Sequence, residues 1–353
     1  MRILLAYQQI ILVLHSQIHL IKTTFIRSPD TRFHAPALLH HSTSPFKMPP
    51  DLSSFDTTPE SEASLLSYFR RQLTYTPPRV TTPLLTSQTA IITGSNTGLG
   101  LALAHQLLTL GLTKLILAVR TPPKGQLAAT QLLQSHPTAA IDVWPLDLSS
   151  YTSITSFIAR AKTLDRIDIL VNNAGFVADK QSFNNETGHD ELVQVNYLSQ
   201  ALLTLLILPV IKSKRQSQDG PSKVVFTSSD AAAWTGFKER SEQPILRGLD
   251  REVKGDMSDR YFVTKLLMQF FVVELARRVQ SEWVVINMAT PGMCRTELNR
   301  EHEGTVWGYV FGFVQLFVAY RAEVGARMLT AAVVAGEETH GGYLGLGRRQ
   351  LKP

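Results

Sequence analysis

From Thr89 nearly to the C-terminus, short apolar runs alternate with longer stretches in which apolar residues return every three or four positions. The short runs, residues 89–93, 114–119, 141–144, 167–171, 223–227 and 283–288, are rich in β-branched residues and predict strands. Between them, residues 99–109, 124–134, 150–161, 191–211 and 261–279 carry helical spacing. Residues 322–327 open a closing helix, and Gly342-Tyr343-Leu344 supplies a last short strand. Such alternation predicts an α/β fold: a parallel sheet covered on both faces and doubly wound through right-handed crossovers. Ligands are then expected beyond the carboxyl ends of the strands.

Upstream the pattern is different. Residues 49–83 are Ser, Thr and Pro with charges, hold one helix candidate near residues 63–73, and end in Pro77, Pro78 and Pro83; they read as a linker. Residues 1–26 are apolar but interrupted by Gln8, Gln9, His15, Gln17 and His19, a poor match to a membrane span. They satisfy neither a clean signal peptide nor an arginine-rich amphipathic presequence. An unstructured extension, a targeting segment and weak membrane association all stay open for them, as does a start at Met48. The expected organisation is an extension and linker over residues 1–83 and one nucleotide-binding domain over 84–353.

Composition narrows the function classes. The chain has 353 residues, 44% of them hydrophobic, and a net charge of +6. The first 50 residues hold Arg2, Lys22, Arg27, Arg32 and Lys47 against Asp30 alone, so the remainder is nearly balanced. A folded body of that charge lacks the basic surface of a nucleic-acid binder. Cys294 is the single cysteine, which excludes an internal disulfide and any metal site built on paired cysteines; no metal is expected. A reducing, cytoplasmic setting is the expectation, with mitochondrial or membrane placement through the extension as alternatives.

The first predicted strand runs into Thr93-Gly94-Ser95-Asn96-Thr97-Gly98-Leu99-Gly100, and a helix follows. Glycines here permit positive φ and close approach of a pyrophosphate to backbone N–H groups at a helix start. Asp147-Leu148 closes the third strand, Asn172-Asn173-Ala174-Gly175 follows the fourth, and Ser228-Ser229 ends the fifth. Asn196 lies in a predicted helix, Tyr261 and Lys265 share a helix face four residues apart, and Pro291-Gly292 follows the sixth strand with Cys294 and Thr296 beyond. Singly, each has a structural alternative: a cap, a turn, a strand end or a solvated pair.

In this order, over roughly residues 89–347, these motifs resemble the short-chain dehydrogenase/reductase family, with a texture similar to its fungal and retinol-dehydrogenase-like members. The resemblance implies a Rossmann-type sheet and a nicotinamide cofactor. It implies Tyr261 as acid/base, Lys265 lowering the tyrosine pKa and orienting the ribose, Ser229 bonding the substrate oxygen with Ser228 as the alternative, and Asn196 anchoring a relay water. Gly94, Ser95, Asn96, Gly98, Leu99, Gly100, Asp147, Asn172, Ala174, Gly175, Pro291, Gly292, Cys294 and Thr296 would join Tyr261 and Lys265 around the cofactor.

No acidic residue ends the second strand. Arg120 stands there with Lys124 nearby, and an arginine fork suits a ribose 2′-phosphate, so NADP(H) is expected over NAD(H). The 32 residues from Ser229 to Tyr261 contain an insertion, residues 231–260, in which Trp234 and Phe237 could line a substrate pocket. Residues 305–320, with Trp307, Tyr309, Phe311, Phe313, Phe317 and Tyr320, suggest an apolar cover for an apolar or bulky carbonyl or alcohol. Fungal members of the family often act in secondary-metabolite pathways. The alternatives are a membrane-associated retinoid- or steroid-like dehydrogenase and a non-catalytic nucleotide-binding regulator; homo-oligomers are compatible with all of them.

Overall fold

The computed structural model describes residues 59–82, 85–253, 257–296 and 317–346. Its centre is a seven-stranded parallel sheet in the order β3-β2-β1-β4-β5-β6-β9. The strands are β1 Thr89–Thr93, β2 Lys114–Val119, β3 Ala140–Pro145, β4 Ile169–Asn172, β5 Ser222–Thr227, β6 Val284–Ala289 and β9 Tyr343–Leu344. A separate two-stranded ribbon joins β7 Cys294–Arg295 to β8 Tyr320–Arg321. The order reverses between β1 and β4, which opens a crevice at their carboxyl ends.

Strands β1 and β6 are buried at every position, as expected for central parallel strands that read as continuous apolar runs. One face of the sheet is covered by α5 (Tyr151–Ala161), α6 (Glu191–Ser213) and α7 (Ser258–Ala276), whose Phe157, Tyr197, Val263 and Phe271 enter one core. The other is covered by α3 (Gly98–Thr109), α4 (Pro122–Ser135) and α8 (Ala322–Val334), whose Leu103, Ala129 and Leu329 enter a second. This is the doubly wound, Rossmann-type α/β arrangement. Helix α6 is long and apolar enough to cross a membrane by composition, but here it is mostly buried as a core helix.

Several boundaries differ from those the pattern predicts, and local chemistry accounts for them. Helix α4 begins at Pro122 rather than Lys124, because proline is well suited to a first helical position where its missing N–H costs nothing. Ser150 is the N-cap of α5 rather than its first residue, accepting from Ser153 N–H at 3.4 Å. Helix α7 starts at Ser258, which places Tyr261 in the first turns and not at the start.

The larger correction concerns the stretch read as a linker. Residues 59–74 form α1 (Pro59–Ala63) and α2 (Leu65–Thr74), with Ser64 capping α2. The side chains of Tyr68 and Gln72, one turn apart, are buried against the domain. The helix answers to the candidate near residues 63–73; its docking on the domain is what the surrounding Ser/Thr/Pro composition did not suggest.

Candidate active site

The glycine turn is built by close approach. Gly94 has φ +61°, and a Cβ on it would come within 2.9 Å of the Ala174 Cα. A Cβ on Gly100 would lie 2.6 Å from Asn173 Nδ2 and 2.9 Å from the Ser95 Cα, so the turn folds onto the start of α3 only with glycine there. Ser95 faces inward and donates to the Ile92 carbonyl at 2.8 Å, while Asn96, Gly98 and Leu99 are half-buried. Thr97, the N-cap of α3, makes no side-chain cap, so the first N–H groups of the helix are not satisfied by it. A phosphate fits this cradle: small residues on the inside and uncapped donors at a helix start.

Asn173, absent from the expected contact residues, holds the turn in place. Its Nδ2 donates to the carbonyls of Thr93 (2.9 Å) and Gly94 (3.1 Å), and Thr93 Oγ1 accepts from the N–H groups of Asn173 (2.9 Å) and Ala174 (3.0 Å). The signal was there, in the doubled asparagine and in the threonine before the first glycine. Asn172, the one expected at the cofactor, instead turns its amide into the core and donates to Thr204 on α6 at 3.1 Å.

Gln200 Nε2 donates to the Ala174 carbonyl at 2.7 Å, and Asn196 pairs with the backbone of Phe176, accepting at 3.0 Å and donating at 2.8 Å. These bonds clip the loop carrying the exposed Gly175 onto α6, in the wider turn that interrupts that helix at Gln194–Leu198. The Asn196 side chain is therefore a clamp on this loop.

The catalytic candidates meet at the end of β5. The Ser229 hydroxyl faces the Tyr261 phenol closely enough to pull its pKa down, and its Oγ accepts from Ala231 N–H at 3.2 Å. Ser228 is turned away: it is buried, and its hydroxyl accepts from Gln269 at 3.0 Å. Lys265 is buried, donates to the Thr227 carbonyl at 3.0 Å and lies 5.7 Å from the Tyr261 ring centre. Thr227 Oγ1 in turn donates to Asn173 Oδ1 at 3.4 Å, so a short path of polar contacts joins Lys265 to the glycine turn.

Burial governs the charges here. It pushes the Tyr261 phenol up to about 12, against the opposing pull of the Ser229 hydrogen bond. It also brings Lys265 down to about 8. Desolvation is the largest influence on each of the two groups. The phenol keeps its proton at neutral pH, as a proton donor must.

Around this centre, Asp147 makes a turn, accepting from Ser149 N–H at 2.9 Å. Arg120 and Lys124 are exposed beyond the end of β2, and neither makes an ion pair among the described residues. After β6, Pro291 is buried, Gly292 has φ +69°, and a Cβ on Gly98 would touch Thr296 at 3.4 Å. The Cys294 thiol donates to the Pro291 carbonyl at 3.4 Å and packs beneath Gly325 of α8, and burial raises it to about 12.

In the insertion, Phe237 is buried in the core, whereas Trp234 is half-buried in a line of edge-to-face rings: Tyr68–Trp234 at 5.0 Å, Trp234–Phe262 at 5.9 Å and Phe262–Tyr261 at 6.2 Å. Of the apolar cover expected at residues 305–320, residues 305–316 lie outside the described residues; Phe317 is exposed and Tyr320 donates to the Tyr75 carbonyl.

The comparisons agree with this geometry. Residues 88–240 match the family model for short chain dehydrogenases. The short-chain dehydrogenase fogG of Aspergillus ruber is 44% identical over 82% of this chain and 86% of its own length. The short chain dehydrogenase/reductase mfmJ of Annulohypoxylon moriforme is 39% identical over 78% and 80% respectively. Among solved structures, the RhlG/NADP complex of Pseudomonas aeruginosa shares the fold with a TM-score of 0.58 at 21% identity, covering 76% of this chain and 97% of that one. L-Sorbose reductase of Gluconobacter frateurii, solved with NADPH and L-sorbose, aligns with a TM-score of 0.57 at 19% identity over 77% and 99%. The chain belongs to the short-chain dehydrogenase/reductase family, and is an NAD(P)-linked oxidoreductase acting on CH–OH and C=O groups.

Proposed function

We propose that this enzyme interconverts a ketone or aldehyde with its alcohol, preferring NADP(H), with Tyr261 as the acid/base. The observation that carries the reading is the convergence of Ser229, Tyr261 and Lys265 on one point, tied through Thr227 and Asn173 to the glycine turn. Bound nicotinamide supplies or accepts the hydride at the carbonyl carbon. In the reductive direction the Ser229 hydroxyl orients the substrate oxygen and Tyr261 donates its proton to it. Lys265, whose ammonium is accessible at neutral pH, then stands beside the resulting phenolate.

Arg120 and Lys124, exposed and without carboxylate partners among the described residues, are the groups that would hold a 2′-phosphate, and no carboxylate ends β2 to exclude one. Trp234 and Phe262, half-buried beside Tyr261, favour an apolar or bulky substrate. The fungal sources of the similar dehydrogenases fit a place in secondary metabolism. A non-catalytic regulator would need the nucleotide cradle alone, whereas this chain also keeps the serine, tyrosine and lysine assembled.

A panel of carbonyls and alcohols followed by nicotinamide absorbance tests the reading. Tyr261→Phe should lower kcat by roughly 10²–10⁴-fold with cofactor affinity retained; activity that survives it unchanged overturns the mechanism. Arg120→Ala should weaken NADPH binding by about tenfold or more and leave NADH binding unaltered. Equal NADPH and NADH affinities in both proteins would refute the cofactor assignment.

A further inference from the structure

Helix α2 meets the domain through one stripe, Tyr68, Gln72 and the chain at Tyr75, and the middle contact is unlike ordinary packing. The Gln72 side chain is buried and fully engaged with backbone. Its Oε1 accepts from Met293 N–H at 3.0 Å, and its Nε2 donates to the carbonyls of Met293 and Val318, each at 3.0 Å. One amide therefore pairs with both backbone groups of Met293 and ties it to Val318, next to the ribbon formed by Cys294–Arg295 and Tyr320–Arg321. The fit is close: a Cβ on Gly292, which has φ +69°, would lie 2.6 Å from Gln72 Oε1.

This turn reaches the nucleotide cradle. Three residues beyond Met293, Thr296 packs where a Cβ on Gly98 would touch it at 3.4 Å. On the other flank, Tyr68 stacks on Trp234, which stacks on Phe262 beside Tyr261. The helix also closes behind the turn through Tyr320, which donates to the Tyr75 carbonyl, and Arg327, which donates to the Pro77 carbonyl at 2.9 Å.

We propose that Gln72 is a positioning residue for the cofactor site: it fixes the Gly292–Met293 turn, and through it Thr296, against the glycine cradle, so that docking of α2 and binding of cofactor are coupled. The inference rests on the nicotinamide-dependent reading above and adds to it a part of the machinery outside the α/β sheet. Linkage makes the coupling reciprocal. If docked α2 favours the bound geometry, bound cofactor must favour docked α2.

Gln72→Met keeps the side-chain length and removes all three polar contacts. In the full-length chain, NADPH titration by fluorescence should show Kd raised at least tenfold, with kcat at saturating cofactor within about threefold of wild type. A purely structural role would lower Tm and leave the Kd of the folded fraction unchanged, and a Kd within twofold of wild type overturns the proposal. Where the variant does not fold, amide exchange in the wild type decides. Saturating NADPH should slow exchange at Met293 and across residues 65–74, and unchanged exchange at both overturns it. Wild-type protein that binds neither NADPH nor NADH would instead refute the functional reading itself, so the two failures are distinguishable.

Discussion

At the scale of single residues, the site sets a desolvated phenol beside a desolvated ammonium. The unfolded chain holds the Lys265 proton up to the ordinary value of 10.5, whereas the folded chain releases it near 8. Between those values the unfolded state binds more protons, so this residue makes stability rise with pH from about 8 to 10.5. Below pH 8 the buried charge is carried in full, at a cost on the order of 3 kcal/mol. Lys265→Met should remove that cost: more stable than wild type by 1 to roughly 3 kcal/mol at pH 7, with the gain fading by pH 10, as read by denaturant unfolding at several pH values. Tyr261 runs from its ordinary 10.0 in the unfolded chain to about 12 in the folded one, so its own linkage enters only at the top of this window, and the difference below pH 10 isolates the lysine. Activity should fall sharply in the same variant, which would mark the buried ammonium as stability given up for function.

The elements show what pattern and spacing can carry. The seven strands of the sheet and helices α3 to α8 were legible because a buried parallel strand reads as a continuous apolar run and an amphipathic helix as a 3.6-residue period. Tyr261 and Lys265 were legible because four residues in a helix is a shared face. Gln72 was not, since its partners lie 221 and 246 residues away and nothing local announces a side chain that bonds distant backbone. Only the family resemblance favoured Ser229 over Ser228; the burial of Ser228 against Gln269 gives the physical reason.

The insertion before α7 was equally opaque, and its anchor is Arg260. That buried guanidinium lies 2.9 Å from Glu239 and 3.7 Å from Asp190, the N-cap of α6. It joins the insertion to the start of α6 immediately before Tyr261. Arg260→Met would leave Glu239 facing a buried apolar chain, an outcome that costs about 3–5 kcal/mol when a buried pair is broken. The approach to Glu239 lacks hydrogen-bond alignment, which favours the lower end. A fall in Tm of roughly 5–10 °C is expected by calorimetry. Cofactor affinity in the folded fraction should change little, because the glycine turn and its Asn173 brace share no contact with Arg260.

For the molecule as a whole, the question is where the folded unit begins. The strand–helix alternation would place the start at β1, yet α2 lies before it and buries Tyr68 and Gln72 against the domain. Removing residues through 83 would uncover Trp234 where Tyr68 packs, the Met293 and Val318 backbone where Gln72 bonds, and the donors of Tyr320 and Arg327. Burying a tyrosine-sized side chain is worth about 2 kcal/mol, and each hydrogen bond exchanged for water about 1. The sum approaches the whole stability of an ordinary domain. A chain beginning at residue 84 should therefore melt at least 10 °C below full length or fail to accumulate as soluble protein. A chain beginning at residue 59 retains every contact named here and should melt at least about 10 °C above the chain that begins at residue 84. Thermal melts of the three chains side by side decide it: equal melting of the chain from residue 84 and full length would return residues 59–83 to the status of a linker.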